Sequence, residues 1–89
     1  MYKMNYKRLN FLINEATLAL LQAREGQGNK LLGQVFEELL TLSAKLTSDQ
    51  LTSLVPIMDV MYQAQQRRDH VFLADLLKYD LLKYLNSVK

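Results

Sequence analysis

Apolar residues recur along this chain with the spacing of helices rather than strands. Leu9, Leu12, Ile13, Ala16, Ala19, Leu20 and Ala23 fall at i, i+3, i+4 and i+7. That spacing gathers them on one face of a helix over residues 5–24. A second, narrower stripe lies roughly opposite: Met4, Phe11 and Leu18, seven apart, with Leu21 to one side. A break follows at 25–29, Glu-Gly-Gln-Gly-Asn. Two glycines there stop a helix; Gly26 suits the left-handed residue past its end and Asn29 a new N-cap. The pattern resumes over 30–46 with Leu31, Leu32, Val35, Phe36, Leu39, Leu40, Leu42 and Leu46. Gly33 inside that helix would allow a close crossing. Thr47 with Gln50 three residues on has capping-box form. It opens a third helix carrying Leu51, Leu54, Val55, Ile57, Met58, Met61, Tyr62 and Ala64. Pro56 lies within it and predicts a kink, or a restart at Val55 and Pro56. Asp69 then caps the last helix.

That last helix, over 71–85, holds a tandem repeat: Asp75-Leu76-Leu77-Lys78-Tyr79, then Asp80-Leu81-Leu82-Lys83-Tyr84. At ~100° per residue, a five-residue step turns an α-helix pattern by about 140°. Leu73, Leu77, Leu81, Tyr84 and Val88 fall on one side, and Phe72, Leu76, Tyr79 and Leu82 on the other or beside it. A helix apolar nearly all round belongs inside a bundle or at the seam of an oligomer. The expected fold is therefore all-α: one domain, residues 1–89, built as a four-helix antiparallel bundle with the third helix kinked or restarted at Pro56. Short linkers make consecutive helices antiparallel neighbours.

Composition narrows the class. Nearly half of the 89 residues are apolar, with one Pro and three Gly. That is too hydrophobic for a disordered chain and favours helix over sheet. A net charge of +2 is mild and by itself implies neither nucleic acid nor an acidic membrane. No Cys is present, which excludes disulfides and thiol chemistry. Asn10, Asn14 and Glu15 interrupt any signal-like apolar run at the start. No run approaches the ~20 apolar residues of a membrane span. These features lead us to expect a soluble, cytoplasmic protein with no membrane role.

Catalysis has little to draw on. The single His, His70, has no patterned nucleophile to serve and reads as a surface or capping residue. Asp75 and Asp80 diverge on a helix, and the adjacent Glu37 and Glu38 lie on a solvated face, so no metal site is expected. No cofactor motif is present; the 25–29 glycines lack the strand and the Gly-Lys-Ser/Thr of a phosphate loop. We expect no enzyme. Arg67, Arg68 and His70 form a basic corner that offers an alternative: a small nucleic-acid-binding regulator. The last helix, with balanced Asp and Lys, lacks the basic outer face of a recognition helix.

The segment Arg68-Asp-His-Val-Phe-Leu-Ala-Asp-Leu-Leu-Lys-Tyr-Asp-Leu-Leu82 resembles a stretch, roughly K-D-Y-V-L-L-A-D-L-L-E-Y-E-L, of short uncharacterised helical proteins of Gram-positive bacteria. It departs from that stretch at His70, Lys78 and Asp80. The resemblance covers about a sixth of the chain and implies a helical bundle with no assigned activity. In size and helix content the chain is also similar to flagellar export chaperones and bacteriocin immunity proteins. The resulting expectation is a non-enzymatic interaction module: an adaptor, chaperone or regulator. It would pair with itself as a homodimer and bind another protein. Its interface would comprise Phe11, Leu18, Phe72, Leu76, Tyr79 and Leu82, because one bundle cannot bury both sides of the helices that carry them.

Overall fold

A computed structural model describes residues 6–88. Asn5, where the first helix was expected to begin, and Met4 of the expected outer stripe lie outside the described residues. Every regular element described is helical. They are α1 (Lys7–Leu21), α2 (Glu25–Ser43), α3 (Ser48–Gln66) and α4 (His70–Asp75), then a π-helical segment (Leu76–Leu81) and α5 (Leu82–Ser87). The last three follow one another without a break, so they form a single C-terminal helix. Among the described residues the fold is therefore all-α, with four helices.

Two tight turns share one construction. After α1, Ala23 takes a left-handed φ of 58°; after α3, Arg68 takes 56°. Arg24 N–H donates to Ala19 O at 2.9 Å and Ala23 N–H to Leu20 O at 3.2 Å. Asp69 N–H donates to Ala64 O at 3.0 Å and Arg68 N–H to Gln65 O at 3.1 Å. Both pairs are the 6→1 and 5→2 bonds of a Schellman motif, which satisfy the last carbonyls of each helix. This corrects the expected break at 25–29. The turn occupies 22–24, and Glu25 already begins α2. Its carboxylate suits the positive end of that helix.

The glycines therefore sit within α2. Gly28 is buried, and a Cβ there would meet Leu20 Cδ2 at 2.9 Å. It is Gly28 that permits the close α1–α2 approach. Gly33, the expected candidate, has open space around it.

Thr47 caps α3 as expected. Gln50 N–H donates to Thr47 Oγ1 at 3.2 Å, and Thr47 N–H donates to Gln50 Oε1 at 2.9 Å. The helix does not restart at Pro56 but runs through it to Gln66. The proline leaves the Thr52 carbonyl without its usual i+4 donor. Both residues are exposed, so water can take the donor's place. Asp69 caps α4, accepting from Phe72 N–H at 3.3 Å.

All four helices contribute to the core; α1 and the C-terminal helix pack on each other, with α2 against α1 and α3 against the C-terminal helix. Ile13, Leu32, Val35, Leu39, Leu54, Met61, Leu73, Leu77 and Leu81 are fully buried. Burying each such Leu, Ile, Val or Met contributes about 1.5–3 kcal/mol. α2 packs on α1, whereas α2 and α3 are not a closely packed pair although adjacent in sequence. The molecule measures 41 × 23 × 19 Å.

Candidate interaction surface

The surface begins with residues that a helix turns away from its own core. On α1 the buried set is Leu9, Leu12, Ile13, Ala16, Ala19 and Leu20. Phe11 and Leu18 point the other way, 61% and 46% exposed. Leu21 is exposed beside them. Met4, their expected companion, lies outside the described residues.

The C-terminal helix is different from the expectation. Phe72 and Tyr79 are exposed, at 38% and 59%. Leu76 is buried, and Leu82 is half-buried and packed against the core. Leu76 and Leu82 therefore do not stand at a free face as expected. Leu76 follows Leu73 by three and so already lies on the buried side of an α-helix; for Leu82 the reason is the π turn. A straight α-helix would set Asp80, seven residues after Leu73 and four after Leu76, on the buried side. The π segment closes i→i+5 turns, which take in one residue more. Five residues then approach one turn, so Leu81 succeeds Leu76, Leu82 succeeds Leu77, and Asp80 stays exposed. The repeat that divided its leucines between two sides of an α-helix gathers them on one. The wider turn leaves Lys78 and Tyr79 outside, with Lys78 Nζ 5.6 Å from the Tyr79 ring centre.

A stripe on α3 went unread in the sequence. Leu51, Val55 and Tyr62 are exposed and Met58 is half-buried, at spacings of four, three and four. Leu54, Met61 and Ala64 alone are fully buried on that helix. The signal was available: two apolar series, offset on one helix, cannot both face one core. Leu40 on α2 adds a further exposed apolar group.

Charge is sparse around these groups. Arg8 Nε pairs with Glu38 Oε1 at 2.8 Å across α1 and α2. Arg68 Nε reaches Glu25 Oε1 at 3.4 Å, which brings the two tight turns together. Arg24 in the first turn therefore lies in the same region as Arg67, Arg68 and the half-buried His70. The Tyr84 hydroxyl donates to Gln50 O at 2.6 Å and the Tyr6 hydroxyl to Val88 O at 3.5 Å. Burial raises the pKa of both phenols above the usual 10.0, and the nearby Tyr6 adds to the shift of Tyr84. Among the described residues, no group of three or more His, Asp or Glu is placed to hold a metal ion. No helix described is long and apolar enough to cross a membrane. No protein family matches this chain, and no match was found among curated proteins or solved structures.

Proposed function

We propose that this chain is a non-enzymatic interaction protein, a small adaptor, chaperone or regulator that pairs with a second copy of itself. In this reading it is an antiparallel four-helix bundle, bent at Pro56. The Arg68–Glu25 contact supports the antiparallel order by joining both tight turns at one end. The Tyr84–Gln50 and Tyr6–Val88 contacts gather the remaining ends at the other. The observation that carries the interaction role is the outward apolar set on two directly packed helices. These are Phe11, Leu18 and Leu21 on α1, with Val71, Phe72 and Tyr79 on the C-terminal helix. A two-fold pairing would cover them, the same patch meeting itself.

Aspartate substitutions test the assignment. Leu18→Asp and Tyr79→Asp should give folded monomers, since exposed positions change stability by about 0.5 kcal/mol or less. Leu76→Asp should unfold the chain instead, because it places an unpaired charge inside the core. Light scattering reports mass and circular dichroism reports folding. Leu18→Asp and Tyr79→Asp variants that keep a dimeric mass would remove this face as the seam.

A second reading is favoured by Arg24 joining Arg67, Arg68 and His70 near the tight turns. Such a corner could contact nucleic-acid phosphates. Phosphate contacts give binding that weakens steeply with salt. A salt titration with mixed-sequence DNA therefore separates the two readings; absence of binding at low salt removes the second.

A further inference from the structure

We propose that the C-terminal helix carries one surplus residue, housed in the π turn Leu76–Leu81, and that this turn is the joint at which the following segment detaches from the bundle. The spacing of the buried residues is the starting observation. Leu73, Leu77, Leu81 and Leu85 recur every four residues. In an α-helix each four-residue step overshoots a full turn by ~40°, so the series drifts off any straight core face. The π turn absorbs that drift. Removing a single residue from it does the same. Without Tyr79, the series Leu73, Leu77, Leu81, Leu85 and Val88 runs at spacings of four, three, four and three. Leu76 and Tyr84 then stand seven apart rather than eight. That is the regular core pattern of an unbroken α-helix. Lys78, Tyr79 and Asp80 are all exposed, so the surplus residue contributes nothing to the core.

A π turn is rare because its hydrogen-bonded geometry is less favourable than the α turn it replaces. Here it separates α4, held by Leu73 and Ala74, from α5, a six-residue helix held by Tyr84 and Leu85. Once parted from the rest of the C-terminal helix at that turn, a segment of this length would have little helical stability of its own. Residues 82–88 are therefore tied down by their packing and by the Tyr84–Gln50 and Tyr6–Val88 hydrogen bonds. Release at the π turn would break both bonds together and bare the apolar end of the core that Tyr84, Leu85 and Val88 close. The fold thus has a built-in opening, independent of whether the outer face pairs with a second copy.

Deletion variants and hydrogen exchange test this directly. Chains lacking Asp80, or lacking Lys78, neither of which belongs to the proposed seam, should fold to an unbroken C-terminal α-helix and melt at or above the wild-type temperature. In the wild type, amides of 82–88 should exchange together and faster than those of 70–75. In either deletion variant the two stretches should be protected alike. Deleting the exposed Gly33, in a helix with no surplus residue, should lower the melting temperature strongly. Loss of folding in both turn deletions, equal protection along the wild-type helix, or tolerance of the Gly33 deletion would each overturn the proposal.

Discussion

At the scale of single residues, the two left-handed positions are the clearest departure from local preference. A β-carbon in that conformation costs roughly 1–2 kcal/mol, and glycine is the usual occupant. Ala23 at φ 58° makes no use of its side chain in the turn's hydrogen bonds. Ala23→Gly should therefore stabilise the fold by about 0.5–1 kcal/mol, the steric relief outweighing the extra freedom of glycine in the unfolded chain. Urea unfolding measures the change, and a loss of stability would contradict it. The buried phenols make a second residue-level expectation. Their folded-state pKa values lie above the ordinary 10.0 of an exposed tyrosine. Folding therefore favours the neutral phenol. That contribution is complete below pH 10 and is lost as pH rises from there through the folded-state values. Stability should fall above about pH 10, and Tyr84→Phe should reduce the steepness of that fall at the cost of about 1 kcal/mol for the lost hydrogen bond near neutral pH. Unfolding titrations between neutral and strongly alkaline pH would show it; an unchanged alkaline slope would contradict it.

At the scale of elements, what the sequence disclosed follows the range of the forces involved. The Thr47–Gln50 cap was legible because both partners lie within one turn. So was the inner face of α1, whose series is uninterrupted from Leu9 to Leu20. The end of α1 was misplaced by local chemistry that pointed to Gly26. The chain instead turns at Ala23, an alanine in a glycine's position, and uses Gly28 to bring α2 against Leu20. That choice depends on a neighbour eight residues away and leaves no signature in the turn itself. The C-terminal helix shows the same limit more strongly. Its five-residue repeat was visible, but an α period had to be assumed to interpret it. The π turn changes that period after Leu76, turning Leu81 and the half-buried Leu82 toward the core and leaving Tyr79 and Asp80 out. Phe11 and Leu18 are exposed because the regular period of α1 sets them opposite its buried face. The α3 stripe was missed because nothing in its composition separates a core series from a surface series. Only the packing order, with α2 on α1 and α3 on the C-terminal helix, reveals which is which.

At the scale of the whole molecule, the balance between core and surface is the central feature. The two central helices, α1 and the C-terminal one, contribute to the core and still carry apolar groups on their outer sides. The outer helices are incompletely covered: α3 exposes Leu51, Val55 and Tyr62, and α2 exposes Leu40. Exposed apolar groups on two packed helices are what supports the contact site proposed above. Pairing through the α1 and C-terminal outer face would remove the larger set from water, each Å² of apolar area contributing about 25 cal/mol before the costs of association. The α3 stripe would remain available for a different protein, consistent with an adaptor or chaperone. Sedimentation equilibrium of the wild-type chain at concentrations on the order of tens of micromolar tests this account most directly. The expected result is a folded species of twice the 10.3 kDa chain mass. A folded monomer at that concentration would contradict it and assign the exposed face to a partner of another kind.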